Sequence, residues 1–199
     1  MTKPSAKALA QAGYRYIGTP YSTMDCQAFV ERCMKDVGVS RNLPGSNAWY
    51  RAMTWTGTPE ECKARFGAIP DGAFLFILEQ NGREPAKYRR DGIGNASHIG
   101  IKTGKGQGAI HSSSSRGCVC ESVFNDRTIR NGGWNRVGLW NAFDYGERVN
   151  QSIGSSGNDA DPAGGEDNVS LTIPASMAQA VLPVLEKVVD QLVSQIGRG

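Results

Sequence analysis

The 199-residue chain has only two histidines, His98 and His111. No stretch approaches the roughly 20 apolar residues that a membrane-spanning helix needs. Met1 to Ala10 lack the apolar core of a secretory signal, so synthesis in the cytoplasm without a classical export route is expected. No internal repeat occurs, which excludes a solenoid or an array of repeated binding modules. Neither sign of charge dominates: 22 Lys and Arg against 19 Asp and Glu leave a net +3. The basic residues are scattered, with no basic run and no aromatic RNA motif, so nucleic acid is not expected as a partner. Five cysteines do not pair evenly into a disulfide framework, and a cytosolic chain keeps them reduced.

What is present is an ordinary globular composition, 39% hydrophobic and 21% charged, with a stretch of about 145 residues sufficient for a single core. Helical periodicity runs from about Ser5 to Tyr16. A turn-rich stretch, Gly18 to Asp25, then leads into a second helix. In it Phe29, Val30, Cys33, Met34 and Val37 share one face, and Gly38 suits the stop. Cys26 therefore falls in the first turn, where unpaired backbone N–H groups and the positive end of the helix dipole are expected to lower a thiol pKa. Cys33, on the apolar face, reads as a small buried hydrophobe. The two histidines lie in short apolar stretches thirteen positions apart with a glycine-rich turn between, so a hairpin would set them side by side. A cysteine opening a helix, followed by two strand-borne histidines, is the pattern of a Cys/His nucleophilic enzyme.

Three blocks carry a resemblance: Gly18-Thr19-Pro20-Tyr21 before Asp25-Cys26, then Ser97-His98-Ile99-Gly100-Ile101, then Gly106-Gln107-Gly108-Ala109-Ile110-His111-Ser112. Together they resemble the NlpC-type cysteine peptidases, which cleave bacterial cell-wall peptides on a papain-like fold. Ile69 to Phe76 resembles that family's first core strand with its preceding turn, and the likeness spans roughly residues 5 to 145. The resemblance implies Cys26 as nucleophile, His98 as the base that later protonates the leaving amine, and His111 as the group that orients His98. It also places Tyr21 and Asp25 at the substrate site, where an acidic side chain would pair with a substrate ammonium group. Gln27-Ala28 stands where the family usually has Ser-Gly, so Gln27 joins the expected substrate-binding residues. With both histidines assigned, Cys62, Cys118 and Cys120 make an incomplete ligand set; no metal or cofactor is expected.

The expected architecture is α+β: a papain-like domain with N-terminal helices packed on an antiparallel sheet, occupying residues 1–147. Strands are predicted near Ala73–Glu79, His98–Lys102, Gly108–Ser112, Cys118–Val123 and Arg136–Trp140, with a short helix at Pro59–Arg65 and a surface loop over Gln80–Asn95. The span Ser40–Ala68 reads as long and irregular, folding over the cleft, with core packing the safer reading for Trp49 and Trp55. Residues 148–170 are polar, acidic and rich in Gly and Ser, the composition of a flexible linker. Residues 171–199 carry Met177, Val181, Leu185, Val188, Leu192 and Ile196 at helical spacing, an amphipathic helix suited to self-association or docking.

These implications make the expected activity hydrolysis of peptidoglycan stem peptides, at the D-γ-glutamyl to diamino-acid bond. The lack of a signal and the appended helix favour a phage or prophage component that reaches the wall on a virion or at lysis. Two other readings use the same chain: an amidase cutting between muramic acid and L-alanine, and a non-catalytic assembly or wall-binding subunit.

Overall fold

The computed structural model describes residues 2–125, 127 and 133–154. Helix α1, Ala6–Gly13, turns Ala6, Leu9, Ala10 and Ala12 inward. A single 3₁₀ turn follows at Tyr14–Tyr16. Helix α2, Cys26–Asp36, starts on the Asp25 carboxylate, which accepts the Ala28 N–H at 2.8 Å. It buries Phe29, Val30, Cys33 and Met34 and ends before Gly38, whose φ of +86° is the left-handed conformation predicted for the stop.

Six strands form one antiparallel sheet: β1 Trp55–Gly57, β2 Phe74–Glu79, β3 Asn95–Lys102, β4 Gly108–Ser113, β5 Cys118–Val123 and β6 Arg136–Leu139, in the order β1-β6-β2-β3-β4-β5. The protein is thus an α+β domain, and both faces of its sheet are covered. Alternation along β2 sends Phe74 and Phe76 to the face under α1 and α2, with Ile99, Ile101, Ile110 and Val119. Leu75 goes to the opposite face, with Ala109, Trp134, Val137 and Leu139. No described helix is long and apolar enough to cross a membrane.

The span expected to be irregular is ordered. It holds helix α3, Ser46–Arg51, the edge strand β1 paired to β6, and helix α4, Pro59–Phe66. Trp49 is fully buried, stacked on Phe74 at 6.3 Å and set edge-on to Trp140 at 5.6 Å. Two aromatic partners make the core its place, and the segment is part of the wall of the domain rather than a cover. Helix α4 starts on a reciprocal capping box between Thr58 and Glu61 with Pro59 in its first turn.

The domain extends past the boundary that composition suggests. Residues Glu147–Gly154 form helix α5, and Val149 and Ile153, four apart on one face, are buried against Cys62, Phe66 and Ile69. Residues 148–154 therefore belong to the domain, because two apolar side chains at helical spacing outweigh the polar residues between them. The remainder of the expected linker, and the helix expected over 171–199, lie outside the described residues.

Candidate functional site

The histidine pair is built by register. Between β2 and β3 the pairing slips from Ile77 opposite His98 to Leu78 opposite Ala96, so Ser97 is an extra residue on β3 immediately before His98. Such a bulge twists a strand locally and re-aims the neighbouring side chain. Strands β3 and β4 pair only at Ile101–Ile110 and Lys102–Ala109. His111 comes next on β4, close to Gly100: a β-carbon built at Gly100 would lie 3.1 Å from His111 Cβ. His98 is two residues away on the same face of β3, and the two rings meet diagonally.

His98 Nε2 and His111 Nδ1 are 2.6 Å apart, with the rings nearly perpendicular at 83°. Trp134, just before β6, lies over both: it stacks on His98 at 5.2 Å and meets His111 edge-on at 5.1 Å. Its indole N–H donates to Ser122 Oγ at 3.0 Å, which fixes the ring plane. Burial under this cover pushes the His98 pKa down to about 4. Burial also brings His111 to about 4, helped by the adjacent His98 and Arg116. Both rings are therefore neutral at pH 7. One hydrogen is shared between them across the 2.6 Å contact.

Cys26 opens α2, which packs on β3. Its thiol is half-buried, and the backbone of Ile99, the residue after His98, is among the groups that favour its thiolate, together with the backbone of Gln27 and Cys26 itself. These amides act in the direction expected of a helix start. Burial is the larger effect, however, and with the nearby Asp25 it raises the thiol pKa above its ordinary value. The expectation of a lowered pKa is thus corrected: the resting group is a thiol, and a base is required to activate it.

The approach to Cys26 is sewn onto the strands that carry the second histidine. Gly18 N–H donates to Val119 O at 2.8 Å, Val119 N–H to Thr19 O at 2.9 Å, and Tyr21 N–H to Gly117 O at 2.8 Å. Ser112, fully buried and next to His111, donates its hydroxyl to Met24 O at 2.5 Å. Residues 18–24 thereby extend the sheet beyond β5 and fix where α2 begins. Tyr21 sits beside Cys26 and Asp25, and burial first, then the approach of these two groups, raises the phenol pKa. Asp25 is exposed and also caps the helix. Gln27 turns the other way: its amide nitrogen donates to Glu31 Oε1 at 2.9 Å and to Leu43 O, and its oxygen accepts Gly45 N–H at 2.7 Å. Both ends of that amide are engaged within the chain.

The structure thus brings His98 and His111 into contact, and groups Tyr21, Asp25 and Cys26 at the start of α2 beside the backbone that follows His98. Two contributors were not foreseen as such. Trp134 gives no signal in sequence, since it is isolated in a polar stretch. Ser112 reads as one of four consecutive serines, and only the β4 alternation, which puts it opposite in facing to His111, distinguishes it. Comparison of the chain with protein-family models, with curated proteins and with solved structures finds no match.

Proposed function

We propose that the chain is a cysteine peptidase of the NlpC type, with a papain-like arrangement of helices and sheet, that hydrolyses an amide bond in peptidoglycan stem peptides. The observation that carries this reading is the 2.6 Å contact of His98 Nε2 with His111 Nδ1, on a strand against which the Cys26 helix packs. His98, neutral at pH 7, removes the Cys26 proton as the sulfur attacks the scissile carbonyl. The Cys26 backbone N–H, in the first turn of α2, donates to the developing oxyanion. The imidazolium then gives its proton to the leaving amine, and water, deprotonated by His98, releases the acyl group. His111 accepts from His98 Nε2 and holds the ring plane through both steps. Tyr21 and Asp25 border the thiol and suit contact with the peptide, the carboxylate opposite an ammonium group, while Gln27 shapes the site through residues 43–45.

In this reading the chain reaches the wall on a virion or at lysis. The test is product analysis after incubating the full chain with purified cell wall, with Cys26→Ala as control. New amino groups on diaminopimelate or lysine are expected. New N-terminal L-alanine would mean the amidase. No product from either chain, with both folded, would leave the non-catalytic wall-binding subunit.

A further inference from the structure

Directly across β4 and β5 from His111 stands Cys120. Its Sγ lies 3.9 Å from His111 Nε2, within the longer range over which sulfur hydrogen-bonds. Arg116, in the turn between β4 and β5, reaches the same sulfur. The guanidinium favours the Cys120 thiolate by charge and by hydrogen bonding, although burial still keeps the group a thiol. The Arg116 side chain is fixed there by donation from Nη1 to Glu121 O at 2.9 Å. The titratable and charged groups facing His111 are therefore His98 from β3, Cys120 from β5 and Arg116 from the turn.

Proton placement ties this sulfur to the reaction. For His98 to take a proton at Nδ1, that nitrogen must be bare and the ring hydrogen must sit on Nε2. That hydrogen points along the 2.6 Å contact, so His111 Nδ1 must be the acceptor. The hydrogen of neutral His111 is then on Nε2, facing Cys120. In the reverse arrangement His111 Nδ1–H donates to His98, whose own hydrogen moves to Nδ1, and the base is lost.

We propose that Cys120 is a positioning residue: its sulfur accepts the Nε2–H of His111 and so holds the histidine pair in the one tautomer in which His98 can act as a base. Arg116 supports the same arrangement, because a cation beside the sulfur opposes a second cation on His111 and keeps that ring able to accept. This inference rests on the reading of His98 as the base, and it extends the hydrogen-bonded row to three residues on three strands, His98, His111 and Cys120.

The chain's two histidines make the test direct. In the full-length protein labelled with ¹⁵N-histidine, only two imidazoles are seen, and long-range ¹H–¹⁵N correlation reports which nitrogen of each carries hydrogen. The wild type is expected to show His111 as the Nε2–H tautomer. Cys120→Ala should move His111 toward Nδ1–H and lower kcat on a soluble muropeptide about fivefold, the rate equivalent of one ordinary hydrogen bond, with KM unchanged. Cys120→Ser, which keeps an acceptor, should restore the tautomer and most of kcat. Cys120→Val fills the thiol's volume without an acceptor and serves if the alanine variant loses its dispersed spectrum. A wild-type tautomer in the Ala or Val variant, or no rescue by Ser, overturns the proposal. If the wild type hydrolyses no muropeptide the peptidase reading fails, while the tautomer spectra still decide the role of Cys120.

Discussion

Gly100 lies directly beneath Trp134: a β-carbon there would fall 2.7 Å from the indole Cη2, 3.0 Å from Ile110 O and 3.1 Å from His111 Cβ. Its backbone does not adopt a positive φ, so the constraint is space and not conformation. The missing side chain lets the indole settle on both imidazoles, and that cover is what desolvates them. Gly100→Ala should therefore lift Trp134 and part the histidines. The expected cost is about 1–3 kcal/mol of stability, as for other overpacked cores, with a larger proportional loss of turnover. Urea unfolding measured beside muropeptide hydrolysis checks it; unchanged activity in a destabilised variant would separate the cover from the chemistry.

The acid dependence follows from the histidines. Each has a folded pKa of about 4 against an ordinary value of 6.5. Between those values the unfolded chain binds more protons than the native one, so stability is fully present above pH 6.5 and declines as the pH falls toward 4. His98 stays neutral across the same window, so the acid limb of kcat should lie near pH 4 and not near 6.5. Denaturant midpoints and rates from pH 4 to 7 should show stability falling first while activity per folded molecule persists. A kinetic limb near 6.5 would mean that the His98 ring is far better solvated than its burial indicates.

The five thiols should separate by reactivity. Burial pushes Cys62 up to about 12 and Cys33 further, and neither side chain is exposed. At neutral pH a thiol-directed alkylating probe should label Cys26 in the native protein and reach Cys33 and Cys62 only on unfolding. His98→Ala should slow Cys26 labelling and leave that of half-buried Cys118 unchanged. Mass-spectrometric mapping of the labelled sites reads both outcomes, and equal Cys26 rates in the two chains would remove His98 from its activation.

Much of this arrangement is legible in sequence because period and spacing are local. The helix at Cys26, its stop at Gly38, the five longer strands and the hairpin that pairs His98 with His111 all follow from patterns a few residues long. Trp134 and Cys120 do not, since their places depend on strand order and register between segments far apart in the chain. The raised pKa of Cys26 escapes the sequence for a related reason: the helix start is visible there, whereas the burial that outweighs it comes from packing. The edge strand β1 is only three residues long, too short for alternation to show, and its pairing partner β6 is some eighty residues away.

Gln27 gives a test of scaffold against recognition. Its amide joins Glu31, Leu43 and Gly45, and Glu31 Oε1 in turn accepts from Leu43 N–H at 3.0 Å and Trp49 Nε1 at 2.9 Å. Gln27→Ala strands a backbone carbonyl and an N–H in a part-buried place. It should cost about 1–3 kcal/mol, the penalty for unsatisfied buried groups. KM for a small muropeptide should stay near the wild-type value at temperatures where the variant is folded. A raised KM with unchanged stability would return Gln27 to the substrate.

Helix α5 sets where the chain can be shortened. Ending it at Gly154 keeps every described residue of both apolar clusters. Ending it at Gly146 removes Val149 and Ile153 and uncovers Cys62, Phe66 and Ile69, along with the Arg65 donor to Ser152 O at 3.0 Å. Burying one such aliphatic side chain is worth about 1.5–3 kcal/mol, so the shorter chain should lose several kcal/mol, a large share of a small domain's stability. Thermal unfolding should find the 154-residue chain as stable as the full one, with equal muropeptide turnover, and the 146-residue chain far less stable. Equal stability of all three would mean that α5 merely rests on the domain, and loss on ending at Gly154 would place residues beyond it in the core.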